Sequence, residues 1–109
     1  MARFIQEGKV INYRNDTTDP ILYGDVVVLT SRIGIAAADI PPGILGAVEL
    51  SGVFELPAEA SAAFTVGQEL YWDAANKTVT ATKAADGAIF AGIAVDPKAA
   101  ANSIAYVRL

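Results

Sequence analysis

The chain contains no cysteine and no histidine. The first absence excludes a disulfide framework and a thiolate metal site. The second removes the commonest general base and the commonest metal ligand, so a serine triad in its usual form cannot be assembled. Positive charge is also scarce: eight Lys and Arg stand scattered against twelve Asp and Glu, for a net charge of −4. A nucleic-acid binder draws its affinity from clustered basic residues, so no nucleic-acid partner is expected. Long apolar runs are missing as well. The longest, Ala88 to Val95, is far short of the roughly 20 residues of a membrane-spanning helix, and Met1 to Glu7 holds no apolar leader core. No membrane partner and no export signal are expected.

What is present is apolar and β-patterned. The 109 residues suit one domain with one core. Hydrophobic residues make up 53% of the chain and charged residues 18%, against roughly 25% charged in ordinary domains. That excess points to subunit contacts, although many of the apolar residues are alanines that add little volume. Between Val48 and Leu56, the residues Val48, Leu50, Phe54 and Leu56 share one face and Glu49, Ser51 and Glu55 the other, with a bend expected at Gly52. Leu70 and Trp72 oppose Glu69, Tyr71 and Asp73, and the pattern then predicts a hairpin into Thr78–Thr82. Trp72 is therefore expected in the core.

Further strands are expected over Asp25–Thr30, Arg32–Ala38, Ala88–Val95 and Ser103–Leu109, with a turn at Pro41-Pro42-Gly43 and one helical turn over Pro97–Asn102. Asn15 to Pro20 is a polar turn cluster behind a short strand, Lys9–Tyr13. Residues 1–109 thus read as a single all-β domain, a small β-barrel or sandwich. Residues 1–20 are a possible N-terminal arm, or an ordinary edge strand, and residues 21–109 the β body.

Candidate chemistry fails on spacing. Gly87 and Gly92 flank four residues as in a phosphate-binding loop, but Ile93 and Ala94 stand where lysine and a hydroxyl are needed. Asp16, Asp19 and Asp25 are the one acidic concentration, and they lack calcium-loop spacing, which favours turn-forming hydrogen bonds. Glu69 and Asp73 share a strand face roughly 13 Å apart, too far to flank one glycosidic bond. Tyr71 and Trp72, as neighbours on a strand, point to opposite faces, so they cannot together form an aromatic platform. No catalytic residue, cofactor site or metal site is nominated.

The blocks Tyr23–Val28, Gly34-Ile35-Ala36 with Asp39-Ile40, Gly52–Pro57, Gly67–Asp73 and Val107-Arg108-Leu109, in that order from about Ile11 to Leu109, resemble the phage capsid cement family of small head-decoration proteins. Members of this family are sometimes labelled RecA-like recombinases, a label the glycine spacing here does not support. The resemblance implies a non-enzymatic virion protein of a phage or prophage, made in the bacterial host cytoplasm and placed on the capsid surface. It further implies the major capsid protein as partner, a homotrimer, and stabilisation of the expanded head. The alternative from the residues alone is a small β-barrel binding module for carbohydrate or a host surface.

Overall fold

A computed structural model of the protein describes residues 2–3, 8–85 and 87–109. Among these it is all-β, with nine strands and no helix: β1 (Val10–Arg14), β2 (Val26–Leu29), β3 (Arg32–Ala36), β4 (Leu45–Glu49), β5 (Val53–Pro57), β6 (Glu69–Asp73), β7 (Thr78–Thr80), β8 (Phe90–Ala94) and β9 (Ile104–Arg108). Contacts group into two units, one of Met1–Val27 with Gly34–Ser51 and the other of Val28–Ile33 with Gly52–Leu109.

In the first unit β4 is the central strand. It pairs antiparallel with β1 from Val10↔Glu49 to Arg14↔Leu45, and with β3 at Ile35↔Glu49 and Ala36↔Val48. Alternation along β1 follows the pleat: Ile11 and Tyr13 are half-buried, and Val10, Asn12 and Arg14 exposed. Phe4 and Ile5, the apolar residues of the expected arm, lie outside the described residues. Ile40 and Val48 are fully buried. Ile40 is held by a reciprocal backbone pair with Ile21, at 3.0 and 2.7 Å, and its side chain lies over Gly46, where any Cβ would overlap it. The expected Pro41-Pro42-Gly43 turn is present, closed by Ile44 N–H on the Pro41 carbonyl at 3.2 Å.

The second unit is a circuit of strands. β5 pairs antiparallel with β9 over five residues, β9 with β8, β8 with β6, and β6 with β7. A parallel bridge between Ala58 and Val79 then returns β7 to the end of β5, supported by Glu59 N–H on the Val79 carbonyl at 2.9 Å. Inward-facing residues fill this small barrel. Leu70, Val79 and Val107 are wholly buried, with Leu56 and Trp72 beside them, and each such side chain contributes about 1.5–3 kcal/mol on burial. Trp72 occupies the core position its alternation predicts. The tip of the β2–β3 hairpin adds one parallel pairing, Arg32↔Phe90.

The circuit bends at a β-bulge. Leu70 faces Gly92 and Tyr71 faces Phe90, which leaves Ala91 as the extra residue on β8. Gly92 has φ +143, and a Cβ there would overlap the Arg108 carbonyl oxygen of β9. The second glycine of the phosphate-loop-like spacing is thus required by close backbone approach.

One expected element is corrected. Pro97–Asn102 forms no helical turn: Lys98 bridges Phe64, with both N–H to carbonyl bonds at 3.0 Å, and a turn follows, with Asn102 N–H on the Ala99 carbonyl. The extended pairing of Lys98 consumes the backbone groups a helix needs. In addition, the strand expected over Thr78–Thr82 ends at Thr80, whose Oγ1 accepts from Thr82 N–H at 3.2 Å.

Gly92→Ala is expected to destabilise the protein by about 3 kcal/mol or more, from backbone strain together with a clash against main chain that cannot rotate away. Urea unfolding of the variant beside the parent measures it.

Candidate interaction surface

Of the polar residues singled out in the sequence, Asn15, Thr17, Asp25, Glu69, Tyr71 and Asp73 make local side-chain hydrogen bonds. Asn15 is fully buried. Its Nδ2 donates to the carbonyls of Asp19 at 2.8 Å and Ile40 at 2.9 Å, and its Oδ1 accepts from the N–H and the hydroxyl of Thr17 at 3.0 and 2.6 Å. The polar cluster Asn15 to Pro20 is therefore built around a buried amide, which the turn-forming composition alone did not reveal. Asp25 accepts from Leu22 N–H at 2.9 Å. No group of three carboxylates converges on a metal position among the described residues.

On the second unit, Glu69, Tyr71 and Asp73 share the outward face of β6. The Tyr71 hydroxyl donates to Glu69 Oε2 at 3.1 Å. That bond first, then partial burial and the Glu69 charge, raise the phenol above its ordinary range. Asp73 caps the β6–β7 turn, accepting from Asn76 Nδ2 at 2.7 Å, Ala75 N–H at 3.0 Å and Asn76 N–H at 3.3 Å. The Asn76 side-chain bond above all, joined by the Asn76 and Ala75 N–H groups, holds the Asp73 carboxyl below its usual value against a slight opposing effect of burial. A groove of about 480 Å³ lies beside these residues, lined by Glu59, Trp72, Asp73, Thr80 and others. Its Glu59 carboxylate is already taken by the Thr80 hydroxyl at 2.7 Å and Ser61 Oγ at 3.2 Å.

The aromatic rings are engaged as well. Tyr71 and Phe90 meet edge to face, with centroids 5.9 Å apart at 74°, and the Arg32 guanidinium lies 4.9 Å from the Phe90 centroid. Lys98, a residue type seldom buried, is 4% exposed. Its Nζ donates to the carbonyls of Asn102 at 2.8 Å, Ala99 at 3.1 Å and Ala100 at 3.4 Å, and it sits 4.9 Å from the Phe64 ring centroid. Nothing in the sequence pattern marked Lys98; the Pro-to-Asn alanine loop around it was the only signal.

Large exposed apolar groups remain. On the outward face of the β5–β9 pair stand Val53, Ile104 and Tyr106, at 58, 45 and 45% exposure, interleaved with Glu55 and Arg108. On the first unit Leu22 is 53% and Tyr23 75% exposed at the tip of a turn.

Strands closed on an apolar core, polar side chains spent on turns, and bulky apolar groups left outside together define a β-built protein whose equipment is for contact. A family model described as phage cement protein matches residues 5–109. The chain belongs to the phage cement protein family, which carries a structural role at the phage capsid. No curated protein and no solved structure matches it.

The low Asp73 value has a definite sign. A carboxyl whose folded pKa lies below its unfolded value adds stability that is fully present above the unfolded pKa and is lost as pH falls through the folded one. Asn76→Ala is expected to move the Asp73 titration up toward the ordinary carboxylate range of about 4. It should also weaken the protein at neutral pH while leaving its stability nearly unchanged in strong acid. Carboxyl NMR titration and melting curves across pH check both.

Proposed function

We propose that this protein is a decoration subunit that binds the major capsid protein on the outer surface of an assembled phage head and stabilises the expanded shell. It does so as a homotrimer without catalysing a reaction. Supporting this reading beyond the family match is the distribution of side chains: the Asp25, Asp39, Glu59, Glu69 and Asp73 carboxylates and the Tyr71 and Phe90 rings are engaged locally, while bulky apolar groups stand exposed on paired strands and turns. The observation that carries it is the exposed apolar surface on paired strands and a fastened turn, Val53, Ile104 and Tyr106 on β5–β9 and Leu22 and Tyr23 on the turn. The Tyr71 ring, one member of the aromatic pair the sequence offered for a carbohydrate, packs on Phe90, which itself lies under Arg32; Tyr23 and Tyr106 remain exposed.

The energetics fit a cement. A protein that binds only the expanded lattice stabilises it by about 2.7 kcal/mol per site at a hundredfold excess over its dissociation constant. A shell offers many sites, so modest contacts sum. The shift equals the difference in affinity between lattice states, so the mechanism requires selectivity for expanded heads.

Self-association is supported by the same β5–β9 face. It carries one Glu and one Arg and is neutral, whereas the chain as a whole carries −4. A neutral face lets like-charged copies meet with less repulsion than a charged one. Light scattering over a dilution series should give three times the 11.3 kDa chain mass; a mass of one chain at every concentration removes the trimer while leaving decoration of the head open.

Stripping the protein from purified heads and adding it back tests the role. Re-decorated heads should rupture at a higher temperature than stripped ones, and unexpanded heads should bind poorly. Equal rupture temperatures, or equal binding to both head forms, would overturn it.

A further inference from the structure

The turn Leu22–Asp25 is built to present side chains. Each of its four backbone N–H groups is already committed: Leu22 to Asp25 Oδ2 at 2.9 Å, Tyr23 to Asp39 Oδ1 at 2.7 Å, Gly24 to the Ala36 carbonyl at 2.9 Å and Asp25 to the Leu22 carbonyl at 2.9 Å. The Asp25 carbonyl in turn accepts from Ala36 N–H at 2.9 Å, which fastens the turn to β3. No backbone donor is left on the turn for a partner strand to pair with. What it offers outward is Leu22 and Tyr23, at 53 and 75% exposure, the latter the most exposed large apolar residue among those described.

A tip fixed in this way loses little freedom when it is buried, so its apolar contact area converts to affinity with small ordering cost. Tyr is enriched among the residues that dominate interface energetics because it brings large area on few rotatable bonds. Charge then selects the partner. The two carboxylates that fasten the turn, Asp25 and Asp39, are both on exposed residues at its base. A second copy of this chain would bring the same two carboxylates and an overall charge of −4, and an anionic membrane surface would repel them likewise.

We infer that the Leu22–Asp25 turn is the anchor by which this protein docks on the shell, with Leu22 and Tyr23 filling an apolar socket on the shell protein whose rim carries Lys or Arg facing Asp25 and Asp39. This rests on the decoration reading and names the element of the chain that carries it.

The test uses stripped, expanded heads of the phage that encodes the chain. Tyr23→Ala should melt like the parent, because the ring is exposed, and should dissociate from heads at least tenfold faster. Asp39→Asn keeps an oxygen for Tyr23 N–H and removes the charge; it should slow association and flatten the dependence of association on salt, while melting little changed. If both variants bind heads as the parent does, the anchor is overturned and decoration stands. If the parent itself fails to bind heads, decoration falls and the anchor with it. If Tyr23→Ala instead breaks a self-associated form in solution while head binding per subunit is unchanged, the tip meets a second copy and the socket is overturned.

Discussion

A chain whose described residues form no helix must find partners for its backbone N–H and C=O groups across distant stretches of sequence. This constraint shapes both units. In the second unit it is met by a circuit of pairings from β5 through β9, β8, β6 and β7 and back to Ala58. The circuit has to curve to return on itself. Curvature comes from the bulge at Ala91-Gly92, where the β8 backbone approaches the Arg108 carbonyl so closely that only a residue without a Cβ fits. In the first unit the ladder of β1, β4 and β3 is continued by the Ile21–Ile40 pair, which fixes the most buried isoleucine over Gly46.

Where the ladders end, side chains stand in for strands. Asn15 supplies two donors and an acceptor to the loop around it. Asp25 and Asp39 receive the N–H groups of Leu22 and Tyr23, Asp73 those of Ala75 and Asn76, and Gln68 that of Thr65. Lys98 closes the carbonyls of a loop from inside. These are the residue types from which an acid–base or metal site would be assembled, and here they complete backbone hydrogen bonding. One cause runs through these described residues: polar side chains are drawn to the ends of strands, where backbone groups lack partners. No buried side-chain nitrogen or oxygen among the described residues lacks a partner.

That cause also explains how much of the molecule was legible in advance. Period-two alternation located the strands, because one face of each strand must be dry; Leu56, Leu70 and Trp72 sit inward where the pattern put them. The β6–β7 hairpin and the Pro41–Ile44 turn were readable from their turn residues. The surrogate partners were not. Asn15 and Lys98 belong to types that are mostly exposed, and their burial depends on carbonyls brought near by pairings elsewhere, which no local pattern encodes. The loop Pro97–Asn102 was misread for the same reason: local alanine content favours a helical turn, and the long-range pairing of Lys98 with Phe64 overrides it. Tyr23 was visible only at the head of a strand-like block and Leu22 not at all, and their turn is fastened by Ala36 and Asp39, more than ten residues away.

Asp25, Asp39, Glu59, Glu69, Asp73 and Lys98 are committed to internal hydrogen bonds, so the charge they carry steers a partner more than it grips one. Recognition then falls to apolar shape, in which the gain depends on close fit and decays when surfaces separate by even an ångström. On the decoration reading proposed above, in which the subunit distinguishes two lattice states of one shell protein, this is the useful regime, because the chemistry of the shell is identical in both states and only the spacing and tilt of its surfaces differ. A flexible binder would adapt to either lattice and shift neither. On the same reading, a tip with every backbone donor fastened adapts little, and the difference between lattices is returned as a difference in affinity.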